Sequence, residues 1–212
     1  MNEGFLRTPI VGILRGHSPE ICYRTVEALA AGGLTTVEVT MNSPAAADTI
    51  TGLQLRFPGV NVGAGTVCTE AELRTAVRAG ASFIVTPVLN EPVVADCVKR
   101  GLPVFPGAFT PTEIYRAWSL GATAVKVFPA GGLGPGYLRD VAGPLPQIKL
   151  LPTGGVTRAN VADFFAAGAY GVGMGSSLVD RALVTAGDWA GLTAHCRAVV
   201  AATGYPRTST AR

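Results

Sequence analysis

The chain has 212 residues, 48% of them hydrophobic and 15% charged, which is most simply one domain with a substantial core. Its formal net charge of +3 comes from arginines scattered between Arg7 and Arg212, without a basic run or an interleaved aromatic stripe, so a nucleic-acid partner is not expected. No uncharged apolar stretch is long enough to cross a bilayer, so no membrane role is expected either.

The first strand is predicted at Pro9 to Arg15. Ser18-Pro19 then supplies an N-cap with proline at the first helical position, and Ile21 to Leu29 carries apolar residues at helical spacing as far as a stop at Gly32. A second strand is expected at Thr36 to Thr40, followed by Ser43-Pro44 as another cap and proline pair and by a stop at Gly59. The third strand, Val60 to Ala64, leads to a capping box at Thr69 and Glu72 and a stop at Gly80. Strand four is placed at Phe83 to Thr86, with a stop at Gly101; strand five, Pro103 to Pro106, precedes a second capping box at Thr110 and Glu113 and a stop at Gly121. Ala124 to Phe128, Lys149 to Pro152 and Gly171 to Met174 complete the strands, with stops at Gly143 and Gly168 between them. Gly187 to Ala201 is the last helix, and the tail from Tyr205 to Arg212 is expected to be frayed, leaving residues 1–204 as the domain.

A helix returning to a strand commonly stops at a glycine in the left-handed conformation, and the seven glycines recur at a near-constant interval. Gly59 and Gly143 fit less well because each adjoins a proline. Eight strand-helix units in so short a chain predict an α/β fold of one minimal (β/α)8 TIM barrel. A doubly wound open sheet would usually carry G-x-G-x-x-G after its first strand, which Gly12-Ile13-Leu14-Arg15-Gly16 does not supply. Cys22, Cys68, Cys97 and Cys196 lie far apart, and Met1-Asn2-Glu3-Gly4 lacks the features of a signal peptide, so the expected location is a reducing cytoplasm.

Lys126 stands inside Val125-Lys126-Val127-Phe128-Pro129, a run whose β-branched residues ask for a buried strand. Burial lowers the pKa of an amine and makes it a nucleophile able to form a Schiff base with a carbonyl. The competing explanation is a lysine that snorkels from an edge strand or pairs with a buried carboxylate. Strand alternation puts Glu38 and Thr40 on one face of the second strand and Lys126 and Phe128 on one face of the sixth. In a barrel of eight, those strands face each other, so Glu38 and Lys126 converge as an acid/base and a nucleophile or as a structural ion pair.

Two glycine clusters lead into helices at the places where barrels form phosphate sites, Thr153-Gly154-Gly155-Val156-Thr157 and Gly173-Met174-Gly175-Ser176-Ser177. Arg15 and the turn Gly63-Ala64-Gly65-Thr66 offer donors for a carboxylate. His17 and His195 have no metal-ligand spacing.

Together with Val85-Thr86-Pro87, Pro106-Gly107 and Lys126-Val127-Phe128-Pro129-Ala130, these motifs resemble, in order and over nearly the whole chain, the bacterial KDPG/KHG aldolases. The resemblance implies a class I aldolase, without metal or other cofactor and usually a homotrimer, that cleaves 2-keto-3-deoxy-6-phosphogluconate to pyruvate and glyceraldehyde 3-phosphate. It implies imine formation on Lys126, proton transfer by Glu38, carboxylate binding by Thr66, a pocket lined by Pro87 and Phe128, and phosphate binding by Gly154, Gly155, Gly175 and Ser176. A further candidate substrate is 4-hydroxy-2-oxoglutarate. The chain departs from the gluconate enzymes after Glu38, where Thr40-Met41-Asn42-Ser43-Pro44 replaces a typical Thr-Leu-Arg-Thr. Asn42-Ser43-Pro44 and Ile13-Leu14-Arg15-Gly16 are similar to aldolases of the galactonate epimer, so Arg15 rather than Asn42 is expected to hold the carboxylate. Thr153 is gluconate-like, and the gluconate epimer is the favoured substrate. The rivals from other classes are a phosphosugar epimerase or isomerase and a non-catalytic phosphosugar-binding protein.

Overall fold

The computed structural model describes residues 3–205. It is an α/β fold built on a curled parallel sheet. A short helix α1 (Glu3–Arg7) precedes β1 (Ile10–Leu14); strands and helices then alternate as α2 (Pro19–Ala31), β2 (Thr36–Thr40), α3 (Ala46–Arg56), β3 (Asn61–Gly65), α4 (Glu70–Arg78), β4 (Ile84–Val85) and α5 (Glu91–Lys99). After β5 (Val104–Phe105) and β6 (Gly107–Ala108) come α6 (Pro111–Ser119), β7 (Val125–Val127), α7 (Gly134–Ala142), β8 (Leu150–Pro152), α8 (Val161–Ala166), β9 (Val172–Met174), α9 (Arg181–Ala186) and α10 (Trp189–Ala202). The strands form a sheet in the order β5-β4-β3-β2-β1-β9 and a second in the order β6-β7-β8, parallel throughout.

The expected fifth strand, Pro103 to Pro106, is found as β5; past Pro106, which has no N–H to give to a ladder, the chain continues into β6 of the second sheet. The Pro106 carbonyl still accepts from the Lys126 N–H at 2.9 Å, so the backbone remains beside β7. The strands sort their side chains by alternation. Val37, Val39, Val125 and Val127 join the large apolar cluster with Leu29, Leu53 and Leu73 of the helices. Val11, Phe83, Val85, Phe105, Ala124 and Leu151 form a smaller cluster with Phe5 of α1, which packs against the start of β9 at Gly171.

Both predicted capping boxes are present, at Thr69 with Glu72 and at Thr110 with Glu113. Gly80, Gly101, Gly121 and Gly168 have the left-handed φ of a helix stop; at the first stop it is Gly33, φ +98°, rather than Gly32, φ −78°. Gly143 remains right-handed at φ −52°, and Gly59 is not among the left-handed glycines. Ser43 is not the cap of α3: Ala45 holds that place in a left-handed turn, and the Ser43 side chain is used elsewhere. Tyr205, the first residue of the tail expected to be frayed, packs on Phe165 at a ring-centroid distance of 5.5 Å; the rest of that tail, residues 206–212, lies outside the described residues. No helix among the described residues is long and apolar enough to cross a membrane.

Candidate active site

The residues that follow the strands gather at one end of the sheet around a cavity of about 1080 Å³. Arg15 enters it after β1, Thr66 after β3, Pro87 after β4, Lys126 and Phe128 from β7 and its end, Gly154 and Gly155 after β8, and Gly175 and Ser176 after β9. Of the catalytic and substrate-binding residues expected from the sequence, Glu38 alone does not line the cavity; it is buried on β2, 1% exposed.

Lys126 is 3% exposed and lies in the middle strand of its sheet, so it does not snorkel from an edge. Burial pushes its pKa down, an effect increased by the Arg15 charge and opposed by Glu38 and Cys68. Its Nζ sits 4.9 Å from the centroid of the Phe128 ring. Burial likewise pushes the Glu38 carboxyl up, against the pull of Lys126 and Arg15. The two side chains form no ion pair, and Glu38 Oε1 has no hydrogen-bond partner among the described residues. The pair is therefore biased toward a neutral amine and a protonated carboxyl, a donor set able to add to a carbonyl and to move protons.

Arg15 spans the loops above this pair. Its Nη2 donates to Thr66 Oγ1 at 3.1 Å and its Nη1 to Asn42 Oδ1 at 3.4 Å. Both acceptors are neutral and no acid among the described residues forms an ion pair with the guanidinium, which lines the cavity. Thr66 holds φ +57°, a region costly for a β-branched residue and a common mark of a functional turn. Across the cavity, Gly154 and Gly155 have φ +80° and +81°. A side chain at Gly155 would meet the backbone of Gly131, so this loop requires glycine and exposes its backbone to the cavity.

Thr153 is 4% exposed and borders the cavity beside Gly173. Ser177 Oγ donates to Val156 O at 2.6 Å, and its carbonyl meets His195 Nε2 at 2.9 Å, tying α10 to the loop after β9. His17, half-buried with its pKa lowered by burial, and Arg181 also line the cavity. Arg181 carries a single signal in the sequence, a cation one residue past the cap of a helix that follows a glycine loop.

A buried amine and carboxyl under a cationic, glycine-rimmed cavity on a parallel α/β sheet define a class, that of enzymes acting on small anionic carbonyl compounds through an amine. A family model described as "KDPG and KHG aldolase" matches residues 2–195. A probable 2-dehydro-3-deoxy-6-phosphogalactonate aldolase from Rhizobium meliloti is 36% identical over 86% of this chain and 87% of its own. A 2-dehydro-3-deoxy-phosphogluconate aldolase from Treponema pallidum is 34% identical over 91% and 92%. Among solved structures, a KDPG aldolase from Legionella pneumophila, with pyruvate captured as a covalent carbinolamine, superimposes with a TM-score of 0.86 at 30% identity, covering 92% of this chain and 96% of that one. The chain belongs to the KDPG and KHG aldolase family; it is an aldolase, a carbon-carbon lyase.

Proposed function

We propose that this protein is a class I aldolase that cleaves 2-keto-3-deoxy-6-phosphogluconate to pyruvate and glyceraldehyde 3-phosphate. The observation that carries the reading is the buried Lys126, lining a cavity with Arg15 on one side and glycine loops on the other and coupled to the buried Glu38, whose Oε1 has no partner among the described residues. Neutral Lys126 adds to the keto carbon while Arg15 and Thr66 hold the neighbouring carboxylate. The carbonyl oxygen takes the ammonium proton, and the carbinolamine hydroxyl leaves as water with a proton from Glu38. The Glu38 carboxylate then removes the proton of the fourth-carbon hydroxyl. The bond between the third and fourth carbons breaks, its electron pair moves to the iminium nitrogen, and the aldehyde departs. Glu38 returns its proton to the third carbon of the enamine, and water hydrolyses the imine to pyruvate and free amine. Gly154, Gly155, Gly175 and Ser176 hold the phosphate through backbone N–H groups and a hydroxyl, while Pro87 and Phe128 line the pocket.

Borohydride reduction in the presence of pyruvate, followed by peptide mass analysis, tests this reading: an adduct on Lys126 supports it, and a folded protein without adduct sinks it. The galactonate epimer is the second reading, favoured by the Asn42 bond to Arg15 at 3.4 Å where gluconate enzymes carry their own arginine; Thr153 beside the cavity favours the gluconate epimer. Rates on the two epimers decide.

The sheets are further proposed to make one closed (β/α)8 barrel in a single domain, residues 1–204. The bridge between Thr153 and Gly173, the bond from Tyr170 N–H to Leu150 O at 2.8 Å and the continuation of the chain past Pro106 from β5 into β6 support closure. A cytoplasmic homotrimer is proposed on the family resemblance. Exposed Val88, Phe109, Tyr115 and Phe128, on neighbouring loops after β4, β6 and β7 and on α6, offer it an apolar contact face. Light scattering after size-exclusion chromatography tests the trimer, and a monomeric mass overturns it.

A further inference from the structure

The loop after β2 takes no part in the chemistry proposed above, yet it is bonded to the loop after β1 at successive residues. Ser43 is 9% exposed; its Oγ accepts from the Gly16 N–H at 2.8 Å and lies 2.8 Å from Thr40 Oγ1. Thr40 is fully buried on the strand face that carries Glu38, so Ser43 is anchored in turn to the core of the sheet. Its neighbour Asn42 accepts from Arg15 Nη1 through Oδ1. The Gly16 N–H belongs to the peptide that joins Arg15 to Gly16, whose φ of +72° turns the chain away immediately after the arginine. The backbone at Arg15 is thus held by Ser43, and its guanidinium by Asn42 and Thr66.

An arginine at the rim of a cavity samples many rotamers, and a carboxylate that binds it must first collect them. We propose that Asn42 and Ser43 are positioning residues that fix Arg15, so that its remaining N–H groups present one geometry to the carboxylate of a 2-keto acid. They thereby set the preference of the site for keto acids over simple ketones. This rests on the Schiff-base reading of Lys126. The amide of Asn42 is suited to the role because it accepts a hydrogen bond without cancelling the guanidinium charge. An aspartate there would hold Arg15 equally well in space but would neutralise it and repel the incoming carboxylate.

The test is the rate of borohydride inactivation as a function of pyruvate concentration, for wild type, N42A, N42D, S43A and S43T, with acetone as a ketone lacking the carboxylate. Removal of one hydrogen bond to the charged guanidinium predicts a half-saturating pyruvate concentration raised about tenfold in N42A, and loss of the neutral bond to the Gly16 N–H predicts a smaller rise, about fivefold, in S43A. The increase should be larger in N42D, and S43T, which keeps the hydroxyl, should return to near the wild-type value. The rate with acetone should stay within about twofold in N42A, S43A and S43T, consistent with removal of a carboxylate interaction alone; N42D is read with pyruvate only, because neutralising Arg15 also changes the field at Lys126. Unchanged half-saturation for pyruvate in N42A and N42D overturns the proposal, as does a parallel loss with acetone, which marks general damage to the site. Asn42 is exposed, so its variants carry the test should S43A fail to fold. Absence of any adduct in the wild type would instead remove the Lys126 reading and this proposal with it, an outcome distinct from unchanged half-saturation.

Discussion

The space that a side chain would occupy at Gly65 is filled by the carboxyl of Glu38, whose Oε1 lies against the glycine from the neighbouring strand. Gly65 is not among the left-handed glycines, so alanine there meets no backbone penalty, and its cost falls on the position of Glu38. Gly65→Ala should therefore fold but lose turnover by on the order of a hundredfold, the low end of a displaced general acid/base. Steady-state kinetics beside a thermal melt check this; unchanged kcat would mean that the carboxyl has freedom the packing does not suggest.

Lys126→Ala should have no turnover above background, and Lys126→Arg should fail too, because a guanidinium stays protonated. Lys126→Met, close in length, should be at least as stable as the wild type, since it removes a buried amine without leaving a large cavity. Urea denaturation and the aldol assay together separate the chemical from the structural role, and robust activity in the alanine variant would end the imine mechanism.

Burial moves Glu38 and Lys126 toward their neutral forms, and each leaves its own mark on stability. A carboxyl with a pKa higher folded than unfolded binds more proton in the folded state between the two values, so its contribution to stability falls as pH rises there. A lysine with a lowered folded pKa does the reverse, and stability rises with pH between the lowered value and the ordinary one. Glu38→Gln should thus gain on the wild type as pH rises above the ordinary glutamate value of about 4.3, until the raised folded value is passed. Urea midpoints measured from about pH 4 to about pH 8 read the gap. A variant that instead loses ground to the wild type as pH rises would mean that Glu38 is held ionised.

Much of this architecture was legible because single residues carry local physics. Gly80, Gly101, Gly121 and Gly168 end helices in a conformation other residues avoid, and the Thr69 and Thr110 boxes satisfy N–H groups that any helix start leaves free. Strand alternation put Glu38 and Lys126 on interior faces while Val37, Val39, Val125 and Val127 packed on helices. What was not legible depends on contacts between distant segments. Ser43-Pro44 has the form of a helix start, but the serine is drawn to Gly16 and Thr40 instead. Helix α1 is only five residues long, too short for periodicity, and Phe5 is placed by the partners it meets in the interior. The engagement of Arg15 with Asn42, and the direction of the Arg181 side chain, follow from long flexible side chains whose course no spacing rule encodes.

Arg181 lies at the first residue of α9 and lines the cavity with Ser176 and Ser177, without an ion-pair partner among the described residues. A sugar phosphate carries close to two negative charges near neutral pH and is the part of the proposed substrate that would meet this end of the cavity. Arg181→Ala should raise KM for the phosphorylated substrate by about tenfold, the low end for a charge-assisted contact because the arginine is exposed. Its kcat should change little, since the contact is equal in ground and transition states. Half-saturation by pyruvate in the borohydride reaction, which involves no phosphate, should be unaffected. Added salt should weaken the wild type toward the variant, because the lost interaction is electrostatic and open to solvent. Steady-state kinetics at two ionic strengths measure both effects, and an equal rise in half-saturation for pyruvate would move Arg181 from the phosphate end of the cavity to its carboxylate end.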